Sequence, residues 1–201
     1  MPGTPLLVAT RNAHKLAEIR RILPALAHES LEEAGVPEDP AEELLEKSPT
    51  FLGNALAKAR HFALRTGRQV LADDSGLRVR ALGGRPGVRT RRLARDEGEP
   101  VVTGADEANN RVLLRLLEGT PTEARGAYYV CAAVLAGPRP GFRSAIGTCA
   151  GSIAISVRGD GGFGYDPIFT LPDGRTMAQL ANREKDALSH RGTALRALLE
   201  G

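Results

Sequence analysis

Asp73 and Asp74, followed at once by Ser75 and Gly76, are the residues of this 201-residue chain with the clearest chemical potential. They close the apolar run Gln69–Ala72, which reads as a short strand that delivers both acids at its end. Adjacent strand residues point to opposite faces, so the pair shares one task only if the strand breaks there, and Gly76 makes a break plausible. Mg²⁺ favours one or two carboxylates together with water and substrate phosphate oxygens. A carboxylate beside such an ion can orient or deprotonate an attacking water. The bland alternative is a polar strand end with an Asx-turn.

A second segment, Thr10-Arg11-Asn12-Ala13-His14-Lys15, follows the apolar run Leu6–Ala9 and opens a helix capped by Asn12. Free N–H groups and partial positive charge at a helix start suit a phosphate. Thr10 and Asn12 add hydrogen bonds, and Lys15 adds charge. Lysine is scarce here: Lys15, Lys47, Lys58 and Lys185 are the four, and arginine supplies the other basic residues. An ammonium is a compact charge suited to a phosphate oxygen. No Gly-Lys-Ser/Thr occurs, so this is not a P-loop. An ordinary strand-to-helix turn is the competing reading.

Two later segments carry further candidates. The glycines of 159–164 spell a dinucleotide fingerprint, but Tyr165-Asp166-Pro167 forces an extended or turned chain where a helix would be needed. The better reading is a flexible loop that presents Phe163 and Asp166 to a ligand, against a plain hairpin tip. In Glu184–Gly192, Ser189 can cap the last helix, and His190 and Arg191 are donors at its start.

These segments need elements to position them. A helix is expected over 51–66, capped by Thr50, closed by Gly67 and buried through Phe51, Leu52, Ala55, Leu56, Ala59, Phe62 and Ala63. Thr103 and Asp106 read as a capping box that opens a helix through Leu117. Ala127–Ala136 and Phe142–Ser156 read as long strands joined by a turn-rich loop. The final helix is expected over 190–199. Residues 28–49 read as a connection with at most a short helix. The mixture predicts an α/β fold with a mixed sheet in one domain spanning 1–201. A 42% hydrophobic and 25% charged composition is ordinary for a globular core. No apolar stretch is long enough to span a membrane, and the start lacks the pattern of an export signal. Two cysteines do not make a disulfide scaffold, which fits a cytoplasmic setting. The net charge of +3 comes from scattered basic residues, so a solvated surface is favoured over a nucleic-acid partner.

Taken together, Thr10–Lys15, Phe51–Ala55, Asp73–Leu77, Leu82–Val88, Gly162–Phe169 and Glu184–Gly192 resemble, in order and spacing, the inosine triphosphate pyrophosphatase family. The resemblance spans nearly the whole chain. It implies an elongated two-lobed fold, a long mixed sheet flanked by helices, a cleft between the lobes and a homodimer. It implies hydrolysis of dITP, ITP and XTP to the monophosphate and pyrophosphate with Mg²⁺. Residues Thr10, Arg11, Asn12, Ala13, His14 and Lys15 would hold the triphosphate. Asp74 would bind the metal and serve as, or position, the general base, with Ser75 touching substrate. Phe163 would stack on the purine beside Gly164, Tyr165 and Asp166. Lys185, Ser189, His190 and Arg191 would read the base and support the phosphates. The chain departs from the family's pattern at Gly53, where a Glu is usual, and at Arg89–Leu93. The family's second metal ligand, a Glu before the second helix, would fall to Glu46, Glu43 or Glu42.

Overall fold

A computed structural model describes residues 4–100 and 104–200. Among these residues six strands lie in one sheet in the order β2-β1-β3-β4-β5-β6. They are β1 (Leu6–Val8), β2 (His28–Ser30), β3 (Val70–Val79), β4 (Gly126–Ala136), β5 (Phe142–Ile153) and β6 (Phe169–Thr170). β1 pairs in parallel with β2 and β3, whereas β5 and β6 are antiparallel. The sheet is therefore mixed, as expected. The α-helices are α1 (Ala13–Ile22), α2 (Phe51–Thr66), α3 (Leu93–Asp96), α4 (Ala105–Leu116), α5 (Asn182–Leu188) and α6 (His190–Glu200).

The chain divides into two compact units. The first holds residues 1–75, 131–148 and 186–201. Its strands are apolar on both faces, so each face carries a helical layer. Leu7, Val70, Ala72, Ala132 and Val134 pack with Ala55, Ala59, Phe62 and Ala63 of α2. Val8, Leu71, Cys131 and Ala133 pack with Ile19 of α1 and Ala194, Leu195 and Leu198 of α6. On that second face Gly147 lets α6 come close, since a Cβ there would lie 2.1 Å from the His190 carbonyl oxygen. The second unit holds residues 76–130 and 149–185, with Leu77, Val79, Val112, Leu113, Ile153, Ile168 and Phe169 at its core.

Several sequence expectations hold at the residue level. Asn12 caps α1 by accepting from the His14 and Lys15 amides. Thr50 caps α2, and Gly67 closes it. The Ser189 hydroxyl accepts from the Gly192 amide at the start of α6. Others need correction. The strand does not end at the aspartates, and Gly76 does not break it: β3 runs on to Val79. The reason is burial, because Leu77 and Val79 are fully enclosed. Residues 28–49 contain β2, too short for periodicity to reveal. The short α3 and α5 were likewise not expected. α4 opens at Ala105 with Gly104 as its N-cap. Thr103, the expected cap, lies outside the described residues.

Candidate active site

Alternation along β3 sorts the two aspartates. Val70 and Ala72 face α2, so Asp74 continues that face, and Asp73 joins Leu71 on the face of α1 and α6. Each carboxylate then meets its own set of partners.

Asp74 is buried beside α2. Its Oδ2 accepts from Asn54 Nδ2 at 2.9 Å, and Asn54 Oδ1 accepts from the Ser48 amide at 2.8 Å. Its Oδ1 lies 3.7 Å from Lys58 Nζ. The same ammonium donates to Glu46 Oε1 at 2.9 Å and to the Asp73 carbonyl oxygen at 2.6 Å. Asn54 and Lys58 are four residues apart, so one face of α2 delivers both. Burial pushes the Asp74 carboxyl above its ordinary value, against the pull of Lys58 and Lys15. Burial opposes charge on Lys58 too, but Asp74, Glu46 and Asp73 outweigh it and raise its pKa. Of the three candidate glutamates, Glu46 is the one that shares a cation with Asp74. Glu42 is held elsewhere, by Arg11.

Asp73 is enclosed on the opposite face. Its Oδ2 lies 3.2 Å from Lys15 Nζ and accepts from Arg191 Nη2 at 3.1 Å. Arg191 also pairs with Glu18 and donates to Ser75 Oγ at 2.8 Å. Burial alone would raise the Asp73 pKa, but Lys15, Arg191 and Lys58 hold it far below the carboxylate range. The Asp73 carboxylate thus neutralises two buried cations that the sequence suggested for substrate.

The remaining candidates are placed as follows. Thr10 Oγ1 accepts from the Asn12 amide, and Ala13 and His14 form the exposed first turn of α1. Arg11 donates to Glu42 and to the carbonyls of Val36 and Pro37, which fastens the loop after β2. His190 is buried at the head of α6. In the second unit, Lys185 Nζ donates to Asp166 Oδ2 at 2.6 Å and lies 4.9 Å from the Phe163 ring centroid. Asp166 also accepts from Tyr129 Oη and from the Phe163 amide. Tyr165 is buried and donates to the Thr90 carbonyl. The Asp166 and Tyr165 side chains therefore face the interior and shape the loop, and Phe163 carries its partly exposed ring.

Sequence reasoning missed Lys58, Asn54 and Glu18. A signal existed for each. Lys58 is one of the four lysines, and Asn54 is a polar residue inside the apolar stripe of α2. Glu18 stands next to the fully buried Ile19 and three residues after Lys15.

Among the described residues no group of three or more His, Cys, Asp or Glu side chains gathers as a metal cage. Two carboxylates that share one ammonium are nevertheless a donor set that fits Mg²⁺, whose other ligands are water and substrate phosphate. No helix among the described residues is long and apolar enough to cross a membrane.

The sequence model of the Ham1 family matches residues 6–201. A dITP/XTP pyrophosphatase of Frankia alni is 48% identical over 196 residues, covering 96% of this chain and 94% of that protein. A dITP/XTP pyrophosphatase of Geobacillus kaustophilus is 42% identical, covering 97% and 92%. Among solved structures, a HAM1 protein from Coxiella burnetii superposes with a TM-score of 0.81 at 38% identity, covering 98% of this chain and 96% of that one.

Proposed function

This chain belongs to the Ham1 family, and from that premise we propose that it hydrolyses dITP, ITP and XTP to the monophosphate and pyrophosphate with Mg²⁺. The observation that carries the reading is the Glu46–Lys58–Asp74 cluster, in which one α2 ammonium joins the buried β3 carboxylate Asp74 to the partly exposed Glu46 of the segment before α2.

In this reading Asp74 and Glu46 would hold Mg²⁺, which would supply charge neutralisation at the phosphate oxygens. Attack on the α-phosphorus needs an oriented water and neutralised oxygens more than a covalent nucleophile. Asp74 Oδ1 takes the proton of the attacking water, because Asn54 occupies Oδ2 and fixes the carboxyl plane. Lys58 places positive charge where charge develops. Thr10, Asn12, Ala13 and His14 offer the α1 N-terminus to the outer phosphates, and Lys15 holds that turn from its pairing with Asp73. Arg11 supports that loop from its pairing with Glu42. Arg191 orients Ser75 toward substrate, and Asp73 keeps Arg191 in place.

Phe163 stacks on the purine, with Gly164, Tyr165 and Asp166 building the loop behind it. Lys185, Ser189 and His190 contribute to reading the base. Donors aimed at a 6-keto oxygen are left unpaired by the amino group of adenine, which lowers its turnover. Guanine shares the 6-keto group, so its exclusion needs a further contact. The reading extends to a homodimer in the cytoplasm, with the resemblance to the family as its support; sedimentation checks the dimer.

The test is incubation with dITP, dGTP and dTTP plus Mg²⁺ and analysis of the products. Pyrophosphate released from dITP is expected. Orthophosphate, or equal turnover of dGTP, overturns the assignment.

A further inference from the structure

The loop that carries Phe163 is rich in glycine, and glycine loses more freedom on ordering than other residues. Its backbone is nevertheless tied on both sides of the ring. The Phe163 amide donates to Asp166 Oδ2 at 2.9 Å. The Gly164 amide donates to Asp106 Oδ2 at 2.7 Å, and the Gly164 carbonyl accepts from Asn110 Nδ2 at 3.0 Å. Gly164 takes φ +63, a conformation that side chains resist. Asp106 and Asn110 stand four residues apart on α4, so one helix face grips both polar groups of one glycine. α4 is a firm base for that grip, with Ala108, Val112 and Leu113 fully buried. Asn110 is itself buried, and its Oδ1 is enclosed without a hydrogen-bond partner. The bond to Gly164 is what its carboxamide contributes.

We propose that Asp106 and Asn110 are positioning residues for purine recognition: from α4 they fix the backbone beside Phe163 before the base arrives. Neither acts on the base itself. The inference rests on the reading of Phe163 as the stacking residue. The physical reason is preorganisation. Ordering a loop residue on binding lowers affinity roughly tenfold, and a loop ordered in advance avoids that loss.

Two near-isosteric substitutions test the clamp without opening a cavity. Asn110→Asp removes the donor and sets a carboxylate against the Gly164 carbonyl. Asp106→Asn keeps an acceptor for the Gly164 amide. The readouts are hydrogen exchange of the 162–166 amides in ligand-free protein, and kcat and KM for dITP. Asn110→Asp is expected to speed exchange in that loop and raise KM about tenfold, with kcat near wild type. Asp106→Ala should do the same, and Asp106→Asn should stay close to wild type. Unchanged loop exchange in Asn110→Asp, or faster exchange with unmoved KM, overturns the proposal. So does a fall in kcat and melting temperature together at constant KM. Phe163→Ala separates the two layers: if it leaves KM unmoved, the stacking reading fails, and loop exchange in Asn110→Asp still decides whether α4 holds the loop.

Discussion

The Lys58 ammonium lies 2.9 Å from Glu46 and 3.7 Å from Asp74, and so holds two carboxylates of different segments on one positive charge. Lys58→Met would leave like charges facing each other in a largely buried place. We expect kcat/KM for dITP to fall by about 10²–10³-fold, the loss typical of one electrostatic contact to a developing charge. Mg²⁺ alone should then raise the melting temperature of the variant more than that of the wild type, because a dication replaces the lost ammonium. Thermal melts with and without MgCl₂ check this. Equal shifts would mean that Glu46 and Asp74 do not bind an ion together.

Asp73 has a different task, which a stability measurement isolates. It faces Lys15 and Arg191 where almost no solvent reaches. Asp73→Asn strands those cations and should cost about 3–5 kcal/mol in urea unfolding. The sign with pH follows from its depressed pKa. A carboxylate held below its unfolded value of 3.8 stabilises fully above that pH and loses the contribution as pH falls through the folded value. The deficit of the variant should therefore be constant near neutrality and shrink in strong acid. A deficit that grows on acidification would contradict the pairing.

The comparison of these two residues also marks what the sequence could reveal. Strand alternation separates Asp73 from Asp74 without any structure, because a period of two is a local property. The caps Asn12, Thr50 and Ser189 were legible for the same reason. The partners of each aspartate were not. Lys58 stands 16 residues from Asp74 and Arg191 stands 118 residues from Asp73 in the chain, and only the packing of α2 and α6 on opposite sheet faces assigns them. Arg191 read as a substrate donor because an arginine at a helix start has the same local signature whether it faces solvent or a buried acid. β2 escaped notice because three residues carry no usable period.

The two cysteines give a test of the core. Burial pushes the Cys131 thiol up to about 12 and the Cys149 thiol up to about 11. The thiolate is the reactive form, so neither should react with iodoacetamide at pH 8 in the native protein. Both should be alkylated after unfolding in urea, as mass spectrometry would register. Rapid native labelling of Cys131 would place that part of β4 outside the core.

Asp74 is where activity and pH meet. Its carboxyl is pushed above the ordinary aspartate value by burial, with Glu46 adding to the effect and Lys58, Lys15 and Asn54 opposing it. A base must be ionised to act, so activity rises with pH as Asp74 loses its proton. The acid limb of kcat/KM reports the free enzyme, before the nucleotide and its cation arrive. That limb should lie above 3.8, the ordinary value for aspartate. Lys58→Met should move it higher still, since the ammonium favours the charged form. Asp74→Asn should reduce turnover by about 10³-fold or more while circular dichroism and melting stay near wild type, because its neutral amide can keep the bond to Asn54 but takes no proton. Initial rates from pH 4 to 9 on the three proteins check the set. An acid limb unmoved by Lys58→Met, or substantial turnover by Asp74→Asn, would show that the base lies elsewhere.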